Sequence, residues 1–213
     1  NEFYNAGRPK YNEAAKKYLE ALKINPNIAE ARFNLASIYY EYIWNYEALN
    51  ELNELKRISP EYPALYLLMG KVYNRLGDSD EEAFEAFKQA VVLQPGNSEA
   101  HYFLGTVYQQ QNNEAEAIKE YEKAIKSNSD NSAVVNAYLQ LGRINKERLS
   151  FEPAERFLKA ALGIDSSSVD VISELRSLYR KQAEDYESSD RHDKAAEKYE
   201  EMVKIDPENP RNV

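Results

Sequence analysis

Residues 83–95 read Ala83-Phe84-Glu85-Ala86-Phe87-Lys88-Gln89-Ala90-Val91-Val92-Leu93-Gln94-Pro95. Ala83, Phe87, Ala90 and Leu93 fall on one stripe of a helix with a 3.6-residue period, the mark of a segment that buries one face. Pro95 ends that segment, because its nitrogen has no proton to donate and its ring clashes with the preceding turn. The frame recurs outward in both directions. A small residue followed twelve positions later by Pro or Ser stands at Ala14/Pro26, Ala48/Pro60, Ala117/Ser129, Ala154/Ser166 and Ala195/Pro207 as well. The stripe between them is kept as Tyr18/Ala21, Leu52/Leu55, Tyr121/Ala124, Leu158/Ala161 and Tyr199/Met202.

Upstream of five of these segments lies a second helical stripe: Leu35-Ala36 with Tyr39, Met69-Gly70 with Tyr73, Leu104-Gly105 with Tyr108, Leu141-Gly142 with Asn145, and Leu175-Arg176 with Tyr179. Each unit is therefore a pair of helices. A small residue beside a large one lets the two backbones approach closely while a ring fills the adjoining space. The composition agrees: of 213 residues 43% are hydrophobic, and only 7 are Gly and 8 Pro, which favours an all-α chain with a substantial core.

Leu-Gly…Tyr…Ala…Tyr/Phe…Ala…Pro at about 34-residue spacing resembles the tetratricopeptide repeat. That resemblance implies a right-handed superhelical solenoid of antiparallel helix pairs, with about eleven helices in all. The expected division is a single array: a partial repeat over 1–26, repeats over 27–60, 61–95, 96–129, 130–166 and 167–207, and a tail over 208–213. In the partial repeat Phe3 and Tyr4 end a first helix and Gly7-Arg8-Pro9-Lys10 form its turn. The chain opens within a repeat and without Met, so a trimmed chain is expected.

Three length changes interrupt the register, and all avoid the second helix of a pair. One extra residue falls in Gly77-Asp78-Ser79-Asp80. Three fall in Asp130-Asn131-Ser132, which predicts a loosened or bent junction. Seven lie between Arg176 and Ala195, which predicts that both last helices lengthen and that the tip from Tyr186 to His192 projects. Arg176 stands where a small residue is expected, which predicts looser packing. The solenoid's ends have no polar cap in this sequence, so homo-oligomers through uncapped ends are one expectation.

Chemistry is sparse. The two histidines, His101 and His192, read as a packing ring and a solvated tip, and the dispersed glycines form no phosphate-binding loop. Asp78 to Glu82 lacks the central Gly of a calcium loop and reads as helix-starting acids. Trp44 sits in a hairpin turn, where it covers the tip or meets a partner. No catalytic residue, metal site or cofactor is expected, and with Cys 0 there is no disulfide framework. A net charge of −9 argues against nucleic acid as a partner, and no apolar run is long enough for membrane insertion. A soluble, cytoplasmic location is the mild preference.

In the family that this chain resembles, the first helix of each pair lines a concave wall. The stripe left free there contains Phe33, Ser37, Tyr40 and Glu41, then Leu67, Lys71, Asn74 and Arg75, then Tyr102, Thr106, Gln109 and Gln110. It continues with Leu139, Arg143, Lys146 and Glu147, then Ser173, Ser177, Arg180 and Lys181. The paired cations Lys71/Arg75, Arg143/Lys146 and Arg180/Lys181 favour a protein or peptide ligand with an acidic segment. Phe33, Tyr40, Leu67, Tyr102 and Leu139 are the expected apolar anchors. Some family members hold chaperone tails by a two-carboxylate clamp with Lys and Asn one turn apart. Here Phe33/Ser37, Leu67/Lys71 and Tyr102/Thr106 occupy those places, so that clamp is not reproduced. The expectation is a protein-interaction scaffold or adaptor. The alternatives are a self-assembling structural protein and the regulatory, substrate-recruiting part of a larger enzyme.

Overall fold

The computed structural model describes residues 9–77 and 80–206. Among them are eleven helices and no strand: α1 (Pro9–Ile24), α2 (Ala29–Glu41), α3 (Asn45–Ile58), α4 (Leu65–Leu76), α5 (Asp80–Leu93), α6 (Ser98–Gln110), α7 (Glu114–Ser127), α8 (Asn131–Glu147), α9 (Phe151–Ile164), α10 (Val169–Ser188) and α11 (His192–Ile205). They form two compact units, residues 1–95 and 96–213. Unit 1 holds α1 and the pairs α2/α3 and α4/α5. Unit 2 holds α6/α7, α8/α9 and α10/α11. Pro9 and Lys10, expected in a turn, open α1, where the missing N–H of Pro costs nothing. Phe3, Tyr4, Gly7 and Arg8, like Asp78, Ser79 and the tail, lie outside the described residues.

The small-beside-large rule holds to atomic contact. A Cβ on Gly70 would lie 2.6 Å from the Phe87 ring, one on Gly105 2.7 Å from the Tyr121 ring, and one on Gly142 2.6 Å from Leu158. Phe87, Tyr121 and Leu158 are fully buried there, as is Leu52 in the pair that carries Ala36.

The hairpin turns share one backbone solution. The N–H groups of Trp44, Asn113, Ser150 and Arg191 donate to the carbonyls of Tyr39, Tyr108, Asn145 and Tyr186 over 2.9, 2.8, 2.9 and 2.8 Å. The residue before each donor is left-handed: Ile43 (φ 64°), Asn112 (59°), Leu149 (58°) and Asp190 (60°). This is the helix-ending turn that Gly or Asn adopts most easily. Ile43 and Leu149 adopt it against the steric preference of branched side chains, and both are exposed. Ile43→Asn and Leu149→Asn should each stabilise the chain by about 1 kcal/mol, read as a higher thermal midpoint. An unchanged or lower midpoint would mean that these side chains make stabilising contacts.

The length changes fall differently from the expectation. Of the three extra residues, Asn131 and Ser132 open the first turn of α8 and Asp130 caps it, its carboxylate accepting the Ala133 N–H at 2.8 Å. Ala133, Val134 and Val135 are buried there, so the turn is packed and not a loose loop. Just before it, Ser129 replaces the usual Pro and exchanges two 2.9 Å hydrogen bonds with Ser98, each N–H to the other's hydroxyl.

In the last pair only α10 lengthens, to 20 residues, while α11 keeps the 14 of α3, α5, α7 and α9. Recurring contacts give its register. Arg32 meets Glu51 at 2.6 Å, His101 meets Glu120 at 2.7 Å, and Tyr138 meets Phe157 at 6.3 Å between ring centroids, each nineteen residues apart. In the last pair the nineteen-residue contact is Tyr179 with Lys198, 5.0 Å from ring centroid to nitrogen. Tyr121 donates to Gln109, twelve residues back, and Tyr199 is hydrogen-bonded to Glu187, also twelve back. The small slot facing α11 is therefore Ala183, fully buried, and not Arg176.

Arg176 does not loosen the packing. It is buried and paired with Asp206 at 2.8 Å. Against α9, however, Leu175 and Tyr179 stay in the expected register: both join the cluster containing Leu158 and Ala161, and the Tyr179 hydroxyl donates to Glu155 at 3.0 Å. The long α10 thus serves two registers, and α11 is slid along it by seven residues, roughly 10 Å.

Candidate functional site

The residues of the stripe expected to face a ligand lie on the first helices of the pairs, and their surroundings differ between the two units. In unit 1, Phe33 packs on Tyr62 at 5.1 Å. The Arg75 guanidinium lies 3.4 Å from the centre of the Tyr40 ring, with the Lys71 ammonium at 5.5 Å. Arg75 also donates to the Tyr40 carbonyl, one of the last-turn acceptors that α2 cannot satisfy itself. A stacked guanidinium is fixed in orientation while its outer N–H groups remain available. Asn74 and Arg75 are exposed and Lys71 half-buried. Leu67 corrects the expectation: at 6% exposure it is a core residue and no surface anchor.

In unit 2, Tyr102 is half-buried between Phe103 and Tyr121, at 5.3 and 6.0 Å. Burial pushes its phenol up, with Gln140 and Arg143 offsetting only part of that. Gln109 is committed as the acceptor of the Tyr121 hydroxyl at 2.8 Å. Leu139, at 4% exposure, belongs to the core and is likewise withdrawn from the anchors. Arg143 and Lys146 both bind Glu174 of α10, Arg143 at 3.0 Å. Burial opposes the charge on Glu174, but the bonds from Lys146 and Arg143 more than offset it and hold its carboxyl below the ordinary range. That cation pair therefore carries an internal counter-ion that the stripe alone did not reveal. Arg180 and Lys181 are exposed.

Other singled-out residues serve the fold. His101 is buried against Glu120, Trp44 packs with Tyr39 and Tyr42 at 5.7 and 5.5 Å over the hairpin tip, and His192 is solvated beside Asp190. Tyr121 and Tyr179 are fully buried, whereas Tyr199, placed by the offset register, is 38% exposed. Among the described residues no cluster of His, Asp and Glu could hold a metal ion, and no helix is long and apolar enough to cross a membrane.

Family models described as "Tetratricopeptide repeat" and "TPR repeat" match residues 81–141 and 2–41. The chain is a tetratricopeptide repeat protein. These repeats are 30% identical to the Hsp70-Hsp90 organising protein of Plasmodium falciparum (isolate 3D7) over 162 residues, covering 60% of this chain and 28% of that relative. The chain spans smaller shares of its other curated relatives. Among solved structures, a pilF protein of Pseudomonas aeruginosa superposes with a TM-score of 0.71 at 18% identity, over 98% of this chain and 90% of its own. YrrB, described as a TPR protein with an unusual peptide-binding site, gives 0.67 at 20% identity over 92% and 95%. At these identities the tetratricopeptide architecture is what the solved structures share with this chain.

Proposed function

We propose that this tetratricopeptide repeat protein is a protein-interaction scaffold that holds an acidic segment of a partner against the first helices of its hairpins. The observation that carries the reading is the Tyr40 ring with Arg75 and Lys71 over its face. It sets two cations, one of them fully oriented, beside the amide of Asn74 and the half-buried ring of Phe33. Such a surface offers charge-assisted hydrogen bonds next to an apolar contact, which suits an acidic peptide with a hydrophobic anchor. The names of the Hsp70-Hsp90 organising protein and of a neighbour with a peptide-binding site support the coarser reading of a protein-binding scaffold. Among the described residues no acid, base and nucleophile converge, which favours binding over catalysis.

Selection of displayed random dodecapeptides on the immobilised chain tests this. Enrichment of Asp and Glu among the recovered peptides is the expected outcome, with Lys71→Glu/Arg75→Glu weakening their binding about tenfold or more, as expected for charge-assisted bonds. Recovery of basic or uncharged peptides, unaffected by that variant, would remove the acidic-segment reading.

A further inference from the structure

We infer that in unit 2 the acidic residue of a bound segment is received by Arg180 with the hydroxyls of Ser173 and Ser177, in the depression along α10 beside the end of the displaced α11, and not by Arg143 and Lys146. The inference rests on the reading of the ligand as an acidic segment and fixes where unit 2 takes it.

The offset of α11 creates the place. Because α11 is slid by two turns, its end falls beside Arg176, where Asp206 pairs with that guanidinium at 2.8 Å. The first two turns of α10 therefore lie beyond the end of α11, and Val169 there is 77% exposed. Val169, Ile172, Ser173, Ser177 and Arg180 line a depression of about 320 Å³, closed at one side by the Arg176–Asp206 pair. Positions 169, 173, 176/177 and 180 share one face of a helix.

Charge inside unit 2 decides which cation a ligand meets. Arg143 and Lys146 are held by Glu174, and Arg176 by Asp206. Among the described residues no carboxylate pairs with Arg180, and it is exposed. Lys146 also reaches Ser177, whose hydroxyl accepts from its ammonium at 3.2 Å, so a second positive charge borders the depression. A carboxylate set between Ser173, Ser177 and Arg180 would accept two hydroxyl donors and the planar guanidinium fork. Displacing Glu174 from Arg143 and Lys146 would instead strand a largely desolvated charge, which costs more than a new pair returns.

Spacing then defines the ligand further. Ile172 and Arg180 are eight residues apart on the helix, about 12 Å, which an extended peptide spans in about four residues. The fitting segment has an apolar residue, for Val169 and Ile172, three to four positions from an Asp or Glu.

The test repeats the selection described above on the full chain carrying Lys71→Glu/Arg75→Glu, and an acidic peptide recovered there, labelled with fluorescein, is titrated by anisotropy with that chain and with its further variants. Arg180→Glu, an exposed change that should leave the circular dichroism intact, is expected to weaken binding at least tenfold. Ser173→Ala/Ser177→Ala is expected to weaken it severalfold, and Arg143→Gln/Lys146→Gln less than threefold. Moving the peptide's acid next to its apolar residue should abolish the sensitivity to Arg180. If binding ignores Arg180→Glu but collapses in Arg143→Gln/Lys146→Gln, the site is overturned and the acidic reading stands. If this second selection enriches no acidic peptide although the first does, the site is overturned and the acidic reading stands; if neither does, the reading and the site fall together.

Discussion

Gly105→Ala is expected to destabilise the protein by about 1–3 kcal/mol, whereas Gly163→Ala is expected to stabilise it by about 0.5–1 kcal/mol. Both glycines sit inside helices, α6 and α9, where Gly is entropically unfavourable and Ala is the best former. Propensity therefore predicts one sign for both, and packing reverses it at one. A Cβ at 163 meets nothing within 4 Å, whereas at 105 it would lie 2.7 Å from the Tyr121 ring and 3.3 Å from the Ala117 carbonyl oxygen. The ring is fully buried and tied to Gln109, so it has no room to yield.

The chain itself names the rescue: in α2/α3 the same two slots hold Ala36 and Leu52, both fully buried. Adding Tyr121→Leu to Gly105→Ala recreates that pairing and should recover much of the loss, giving a favourable coupling in a double-mutant cycle by urea unfolding. Strict additivity of the two changes would show that the clash is relieved elsewhere.

These slots were legible in the sequence because they recur. Ala36, Gly105 and Gly142 stand twelve residues before the following Ala, and Gly70 thirteen, each facing a ring or a leucine, and a helical period makes the burial of each side chain readable from spacing alone. The last pair misled for an equally physical reason. Leu175 and Tyr179 do occupy the expected positions against α9, so the pattern there is real, but the second helix reads a different part of α10. Gln182-Ala183…Tyr186, twelve residues before the Ala195 slot, was the signal for the offset. Gln at the usual Leu position hid it.

The candidate surface was less legible than the core. Spacing places Arg143, Lys146, Leu67 and Leu139 on the free stripe of their helices, but a stripe says nothing about what the neighbouring helix brings to it. Glu174 neutralises the two cations from α10, and neighbouring packing buries the two leucines. Arg75 over Tyr40 is of the same kind, a contact across 35 residues between α2 and α4 that no single helix encodes. The nineteen-residue pairs could have been found in advance. Arg32/Glu51 and His101/Glu120 have complementary chemistry at one repeat position, and Tyr138/Phe157 is its apolar form.

That recurrence sets the second large effect. His101→Leu is expected to cost about 1–3 kcal/mol at neutral pH, and the loss should shrink as the solution is acidified. Glu120 is 7% exposed at its side chain and takes a 2.7 Å bond from His101 and a 2.6 Å bond from Lys123. Burial alone would raise its carboxyl, but the bonds from His101 and Lys123 outweigh burial and leave it below the ordinary value. A carboxyl depressed in the folded state stabilises the protein above the unfolded value, near 4.3 for Glu, and that contribution disappears as pH falls through the folded value. Removing His101 takes away one of the two opposing bonds, so Glu120 should titrate higher and lose less stability on acidification than it does in the parent, which narrows the gap between the two proteins at low pH. Glu155 and Glu174, also held low by burial outweighed by their cation partners, add the same acid sensitivity to parent and variant alike and cancel in the comparison. The apolar pair at the same position indicates the repair: His101→Tyr/Glu120→Phe copies Tyr138/Phe157 and should restore neutral-pH stability while removing the acid dependence of this pair. Urea midpoints of the three proteins at pH 7 and pH 3.5 decide it. A loss in His101→Leu equal at both pH values would mean that the histidine stabilises by filling space, with no contribution from holding a buried charge.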